Sequence, residues 1–197
     1  MEILRELHQK VLSRLPEVTD ELLRPYLAGV EQGGLDDLRD DLYYKYLTAL
    51  MLEVRPAQVI ELGAAAGLSA LMVLAGLPKD SNLYSCTRPE PEGEWRWIKE
   101  DYPNFIRVLG NDLDSSTWRG TNCGLAETDI WFLDTDHTYE QVKSELSHYK
   151  EFFKKGCLIL LDDIKLNEGM YRAWLEIEYP KLDVSELHHS GYGIFTV

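Results

Sequence analysis

The chain has 197 residues, the size of one ordinary domain with a single buried core, so two full domains are not expected. Its 20 Lys and Arg stand against 34 Asp and Glu, a formal charge of −14 that repels nucleic-acid phosphates and anionic lipid heads and argues against both as partners. With 45% hydrophobic residues it is a folding sequence, and three widely spaced cysteines (Cys86, Cys123, Cys157) without a CxxC argue against a disulfide framework or a zinc site and for a cytoplasmic location.

The N-terminal MEILRELHQK is amphipathic and unlike a signal peptide, and the apolar stretches fall short of a membrane span. Ile3, Leu4, Leu7, Val11 and Leu12 recur at helical spacing, as do Leu22, Leu23, Leu27 and Val30. Pro16 and Gly33-Gly34 punctuate these pieces. A third helix is expected over Leu38 to Val54, with Asp36 or Asp37 as its cap and Arg55-Pro56 as its stop. From Ala57 the pattern changes to short buried-strand runs: Ala57 to Leu62, Leu83 to Cys86, Phe105 to Leu109, Asp129 to Leu133 and Cys157 to Leu161. Helical segments intervene, one ending at Leu77 and the clearest over Thr138 to Lys155. Such βαβ alternation predicts a parallel sheet with helices on both faces. After a helix over Met170 to Tyr179, strands Leu182 to Leu187 and Gly193 to Val197 are joined closely enough to pair antiparallel. The expected fold is α/β, with seven strands, mostly parallel, and a C-terminal antiparallel hairpin. Residues 1–56 are read as a helical extension of the same domain and 57–197 as its core.

In an open α/β sheet, ligands bind beyond the C-terminal strand ends where the strand order reverses. The first such end reads Glu61-Leu62-Gly63-Ala64-Ala65-Ala66-Gly67-Leu68-Ser69. Its small residues let a ligand lie against backbone N–H groups, although glycines here also serve close strand-to-helix packing. A nicotinamide-type G-x-G-x-x-G would need a third glycine and no acid at this place. The segment resembles the first motif of class I S-adenosylmethionine-dependent methyltransferases, E-x-G-x-x-x-G, and ELGAAAGLSA is especially similar to that of the small O-methyltransferases. The resemblance implies a Rossmann-like seven-stranded methyltransferase sheet. It also implies S-adenosylmethionine at the turn, with Gly63, Ala64, Gly67 and Ser69 against it and Glu61 orienting its ammonium end. At the second strand end these enzymes carry Asp or Glu for the ribose; here the position is Thr87, with Glu90 or Glu92 as alternatives. Gly110-Asn111-Asp112 is similar to the adenine-contacting segment, which assigns Asp112 to the cofactor, though Asn-Asp after a strand is also turn chemistry.

Asp134-Thr135-Asp136-His137-Thr138-Tyr139-Glu140 follows the fourth strand and Asp162-Asp163 closes the fifth. Asp134, Asp162 and Asp163 are expected to converge, and carboxylates so placed repel unless a cation or a shared proton lies among them. Oxygen ligands would suit Mg²⁺, or Mn²⁺ or Ca²⁺. A plainer role for these residues is hydrogen bonding to backbone turns and helix ends. The pattern resembles the divalent-metal-dependent, catechol-type O-methyltransferases, in which an Asp closing the fourth strand and a pair closing the fifth hold Mg²⁺. LDTDHTYEQV and GCLILLDDI look still more like the branch of cephalosporin-hydroxylase-like and sugar O-methyltransferase-like proteins, with Thr135 replacing the usual Gly. His137 stands where catechol-type enzymes carry their catalytic Lys, and an imidazole can take a proton from a metal-held hydroxyl. By this resemblance Asp134 serves metal, cofactor and catalysis together.

Tyr43, Tyr44 and Tyr46 read more readily as core or interface than as an acceptor pocket, and so do Trp95, Trp97 and Trp118. His188 and His189, adjacent on a strand, would point to opposite faces and could not share one metal. Acids other than Glu61, Asp112, Asp134, Asp162 and Asp163 are read as solvated surface. The expectation is an S-adenosylmethionine-dependent O-methyltransferase acting on a small hydroxylated molecule with Mg²⁺. Its rivals are a non-catalytic cofactor-binding or interaction protein on the same fold and a metal-dependent enzyme of another reaction class. The N-terminal helices have two open uses, covering the cofactor or forming a homodimer.

Overall fold

The computed structural model describes residues 1–31, 42–89, 95–99 and 101–197. The expected Asp36 or Asp37 cap, Gly33-Gly34, Glu90 and Glu92 lie outside the described residues. The helices are α1 (Glu2–Arg14), α2 (Asp20–Leu27), α3 (Leu42–Val54), α4 (Leu68–Gly76), α5 (Tyr139–Tyr149) and α6 (Glu168–Leu175). The strands are β1 (Gln58–Leu62), β2 (Asn82–Thr87), β3 (Phe105–Leu109), β4 (Ile130–Leu133), β5 (Leu158–Asp162), β6 (Lys181–Asp183) and β7 (Tyr192–Thr196).

They form one seven-stranded sheet in the order β3-β2-β1-β4-β5-β7-β6. β3, β2, β1, β4 and β5 run parallel, and β7 is antiparallel to both its neighbours. The chain winds outward from β1 in one direction to β3 and then returns to add β4 on the other side. That reversal opens a crevice beyond the ends of β1 and β4.

Period-two alternation divides the core. In β4, Ile130 and Phe132 join the cluster covered by α1 to α4, while Trp131 and Leu133 join the one covered by α5 and α6. α4 has no polar face, and everything from Ser69 to Gly76 is buried, because α3 lies on its outer side. There Thr48 Oγ1 donates to the Met72 carbonyl at 2.7 Å, and a Cβ at Gly76 would lie 2.3 Å from the Thr48 carbonyl oxygen. The helix starts are fixed by side chains: Thr19 Oγ1 accepts from Leu22 N, Thr138 Oγ1 from Gln141 N, and Asn167 Oδ1 from Met170 N.

Three expected boundaries shift. The strand expected over Leu182 to Leu187 ends at Asp183, whose Oδ1 accepts from Ser185 N at 3.0 Å and turns Ser185–Leu187 into a 3₁₀ turn. The helix expected to reach Lys155 stops at Tyr149 and tightens into a 3₁₀ turn over Lys150–Phe152. The helix expected over Met170 to Tyr179 begins at Glu168 and ends at Leu175. Lys181 Nζ caps its end by donating to the carbonyls of Trp174, Leu175 and Ile177. No helix among the described residues is long and apolar enough to cross a membrane.

Candidate active site

A cavity of about 310 Å³ opens beyond the sheet's switch point, bounded by Gly63 and Ala65-Ala66 after β1, Thr87 and Arg88 at the end of β2, Asp112 after β3, and Asp134 to Asp136 after β4. Three of the five residues from 63 to 67 are left-handed: Gly63 (φ 94°), Ala65 (φ 41°) and Gly67 (φ 92°). Gly63 has a steric reason as well as a conformational one. A Cβ there would lie 1.7 Å from the Asp134 carbonyl oxygen, because Asp134 N donates to the Leu62 carbonyl across the β1–β4 junction. The glycine thus serves strand packing and an open cavity at once.

Glu61 is fully buried behind the turn. Ser69 Oγ donates to its Oε1 at 2.5 Å and Ser85 Oγ donates to its Oε2, while Trp95 Nε1 donates to Ser85 Oγ at 3.0 Å. Burial raises the Glu61 pKa and the two hydroxyls pull it back down. Trp95 N and Trp97 N donate to the Ala65 and Ala66 carbonyls at 2.9 and 3.1 Å, so this segment lies against the outside of the turn. Gly63, Thr87, Asp112 and Asp134 line the cavity. Glu61, Ala64, Gly67 and Ser69 are not among its lining and form the support behind it.

At the β3 side, Gln141 Nε2 on α5 donates to Asp112 Oδ2 at 3.2 Å and to Glu145 Oε1 at 2.8 Å. Thr135 Oγ1 also donates to Glu145 Oε1, and Tyr149 donates its hydroxyl to the Asp112 carbonyl. Glu145 is fully buried, and its Oε2 accepts no hydrogen bond. Burial pushes its pKa up to about 8 against the hydroxyl and amide donors, and the Asp112 charge adds to the rise. This corrects the expectation that the acids away from the five strand-end positions are solvated.

The acidic centre is held by His137. Its Nε2 stands 3.2 Å from Asp134 Oδ1 and 3.1 Å from Asp163 Oδ2. Burial, opposed by the His137 hydrogen bond and reinforced by the Asp162 and Asp163 charges, pushes Asp134 up to about 7. The Asp134 hydrogen bond raises the His137 pKa against the effect of its own burial. Ser190 Oγ donates to Asp163 Oδ1. Asp162 Oδ1 is buried and accepts no hydrogen bond; His188 Nδ1 lies 3.4 Å from it and 3.6 Å from Asp163 Oδ1. Asp162, Asp163 and His188 each offer one ligand atom within 4.8 Å of the others. Asp134 stands beside that group, joined to Asp163 through His137. Clustered carboxylates with an orphaned buried oxygen fit a divalent cation, which Asp162 and Asp163 would hold with Asp134 adjacent.

The sequence reading missed Ser85, Arg88, Gln141 and Glu145, read Trp95 as core or interface, which its burial bears out, and gave His188 no ligand role. Ser85 was accessible in principle, since it is the register partner of Glu61 on the neighbouring strand. The expectation that His188 and His189 could not share one metal rested on a strand; His188 instead follows the 3₁₀ turn, and it alone of the two stands with Asp162 and Asp163.

A family model described as "Methyltransferase domain" matches residues 60–164, from within β1 through β5, which includes Glu61 to Asp163 but not His188 or Ser190. No curated protein matches significantly. Among solved structures, the chain is similar to the O-methyltransferase from Bacillus cereus in complex with SAH (16% identity, 91% of this chain and 92% of that one, TM-score 0.62). It is also similar to the O-methyltransferase TomG from Streptomyces achromogenes, involved in tomaymycin synthesis and solved with SAM (15%, 91% and 90%, TM-score 0.64). A third is the SAH-bound Podospora anserina methyltransferase PaMTH1 (16%, 97% and 95%, TM-score 0.62).

Proposed function

The chain belongs to the methyltransferase-domain family as a class I S-adenosylmethionine-dependent enzyme, and from that premise we propose that it methylates a hydroxyl of a small molecule with the help of a divalent cation. One juxtaposition carries the reading. The cofactor-type turn and the Asp134–His137–Asp163 contacts open on the same strand edge, and Asp134 belongs to both.

When bound, S-adenosylmethionine supplies an electrophilic methyl group on a sulfonium, and the cation orients and acidifies the acceptor hydroxyl. The chain's own part is binding and the movement of one proton. Ala65 and Ala66 leave room against the backbone, and Asp112 and Asp134 are the carboxylates left to face a sulfonium charge, since Asp136 is paired with Arg88 and Arg96 also lines the cavity. Asp162 and Asp163, with Asp134 alongside, would hold the cation. With those carboxylates so engaged, His137 Nε2 would be free to accept the hydroxyl proton. The Arg88–Asp136 ion pair bridges the segments after β2 and β4 at the cavity rim.

Calorimetric titration with S-adenosylmethionine and with its demethylated product, with and without Mg²⁺, tests the reading; no binding in either condition overturns it. Asp134→Ala and Asp162→Ala should each abolish Mg²⁺ dependence, and full retained dependence would put the ion elsewhere. Thr87, in the place of the family's ribose-binding acid, favours a second reading, a cofactor-binding protein without transfer. Cofactor affinity without turnover over a broad panel of hydroxyl compounds would select it.

A further inference from the structure

The β4 and β5 ends carry two imidazoles, and proton transfer uses only His137. His188 arrives from the opposite side, on the connection leading into β7, whose Tyr192 pairs with Asp162 in the sheet. Its ring is held by packing, 4.6 Å from the Tyr43 ring and 4.7 Å from that of His189, and only 11% of the side chain is exposed. Nδ1 faces both carboxylates, at 3.4 Å from Asp162 Oδ1 and 3.6 Å from Asp163 Oδ1. Ligand atoms roughly 2.0–2.4 Å from a common ion stand about 3 Å apart when adjacent and about 4.5 Å apart when opposite. Both separations fall between these limits.

Asp162 supplies the independent observation. It is 5% exposed, its Oδ1 accepts no hydrogen bond, and the His188 imidazole stands 3.4 Å from it, longer than an ordinary N–H···O bond. Ser190 Oγ, which donates to Asp163 Oδ1, lies within hydrogen-bonding distance of the same Nδ1 at 3.1 Å.

Building on the reading that this edge holds a divalent cation, we propose that His188 Nδ1 is a direct ligand beside Asp162 and Asp163, and that the resulting nitrogen–oxygen set favours Mn²⁺ over Mg²⁺. Imidazole nitrogen suits first-row transition ions, whereas Mg²⁺ keeps to oxygen and water in near-ideal octahedral geometry.

The test uses the full-length protein and the metals alone as probes. Titration calorimetry should show tighter binding of Mn²⁺ than of Mg²⁺. His188→Ala should weaken Mn²⁺ by more than about tenfold, the loss that outer partners of a ligand already cause, and change Mg²⁺ binding little. Pulsed EPR of bound Mn²⁺ should show a nitrogen coupling that shifts with ¹⁵N-labelled histidine, persists in His137→Gln and vanishes in His188→Ala. If His188→Ala does not fold, the labelled wild-type and His137→Gln spectra still decide. Mn²⁺ bound without nitrogen coupling, or coupling lost in His137→Gln, overturns the assignment of His188 while leaving the cation centre standing. Binding of neither metal overturns the centre itself and the ligand with it.

Discussion

Glu145 makes the stability of this protein depend on pH in a way that one substitution removes. Its carboxyl holds a proton up to about pH 8 in the fold, against an ordinary value of 4.5. The groups facing it are Asp112, Cys86, Tyr149, Gln141 and Thr135; none is a cation, and burial raises the pKa of Cys86 and Tyr149, so both stay neutral near pH 7. A carboxyl that binds its proton more tightly when folded contributes stability that is complete below pH 4.5 and lost as pH rises toward 8. At about 1.4 kcal/mol for each pH unit, the whole interval is worth about 5 kcal/mol, and the window from pH 5.5 to 7.5 about 3 kcal/mol. Glu145→Gln keeps an oxygen for Thr135 and Gln141 and has no proton to lose. Urea unfolding of both proteins at pH 5.5, 6.5 and 7.5 isolates the effect, because every other titrating group is common to the pair. The variant should gain about 3 kcal/mol on the wild type across that window. Stability curves that stay parallel would refute the reasoning, since Glu145 would then be ionised throughout.

Gly63→Ala combines a left-handed backbone with a Cβ 1.7 Å from the Asp134 carbonyl oxygen, and should cost at least about 3 kcal/mol or prevent folding, as read by thermal denaturation. Trp95→Phe removes one hydrogen bond to Ser85 and should cost about 1 kcal/mol in urea unfolding. Ser85→Ala should cost more, about 2–3 kcal/mol, because it also strips the donor from a buried Glu61 oxygen; equal losses in the two variants would count against the relay. Asp162→Asn should leave the metal-free melting temperature unchanged or higher, since it removes a buried charge that accepts no hydrogen bond at Oδ1. It should also abolish the rise in melting temperature caused by Mn²⁺; a rise equal to that of the wild type would separate Asp162 from the cation.

The strands were legible because their signal is local: Leu158 to Leu161 is an unbroken apolar run of the right length, Val59 to Leu62 is one interrupted only by Glu61, and both are buried on both faces. From those runs the strand ends followed, and with them the expected convergence of Asp134, Asp162 and Asp163, although not the contacts by which His137 joins Asp134 to Asp163. What stayed hidden depends on neighbours remote in sequence. Glu145 sits on a helix whose one other acid, Glu140, is exposed, and only the docking of that helix over Asp112 and Thr135 buries it. Ser69 was assigned to the cofactor from the motif, yet its hydroxyl goes to Glu61, eight residues away, whose second oxygen is taken by Ser85 from the adjacent strand. The place of His188 was hidden by a strand boundary: Asp183 bends the chain two residues past the strand end, and the alternation rule lapses before the histidines are reached.

The region shared with the family, residues 60–164, includes α4 but stops short of both elements that shield the sheet on that side and at its far edge. α4 depends on α3 for its outer cover, and β5 depends on β7 for one of its two ladders. The common segment is therefore not a portable module. Transplanted without the first 59 residues, it would present a helix with no water-compatible side. Cut before β7, it would offer an open strand edge to whatever chain came first. A fusion or exchange made at either border must bring its own cladding, which gives evolution wide freedom over what the cladding is and none to omit it.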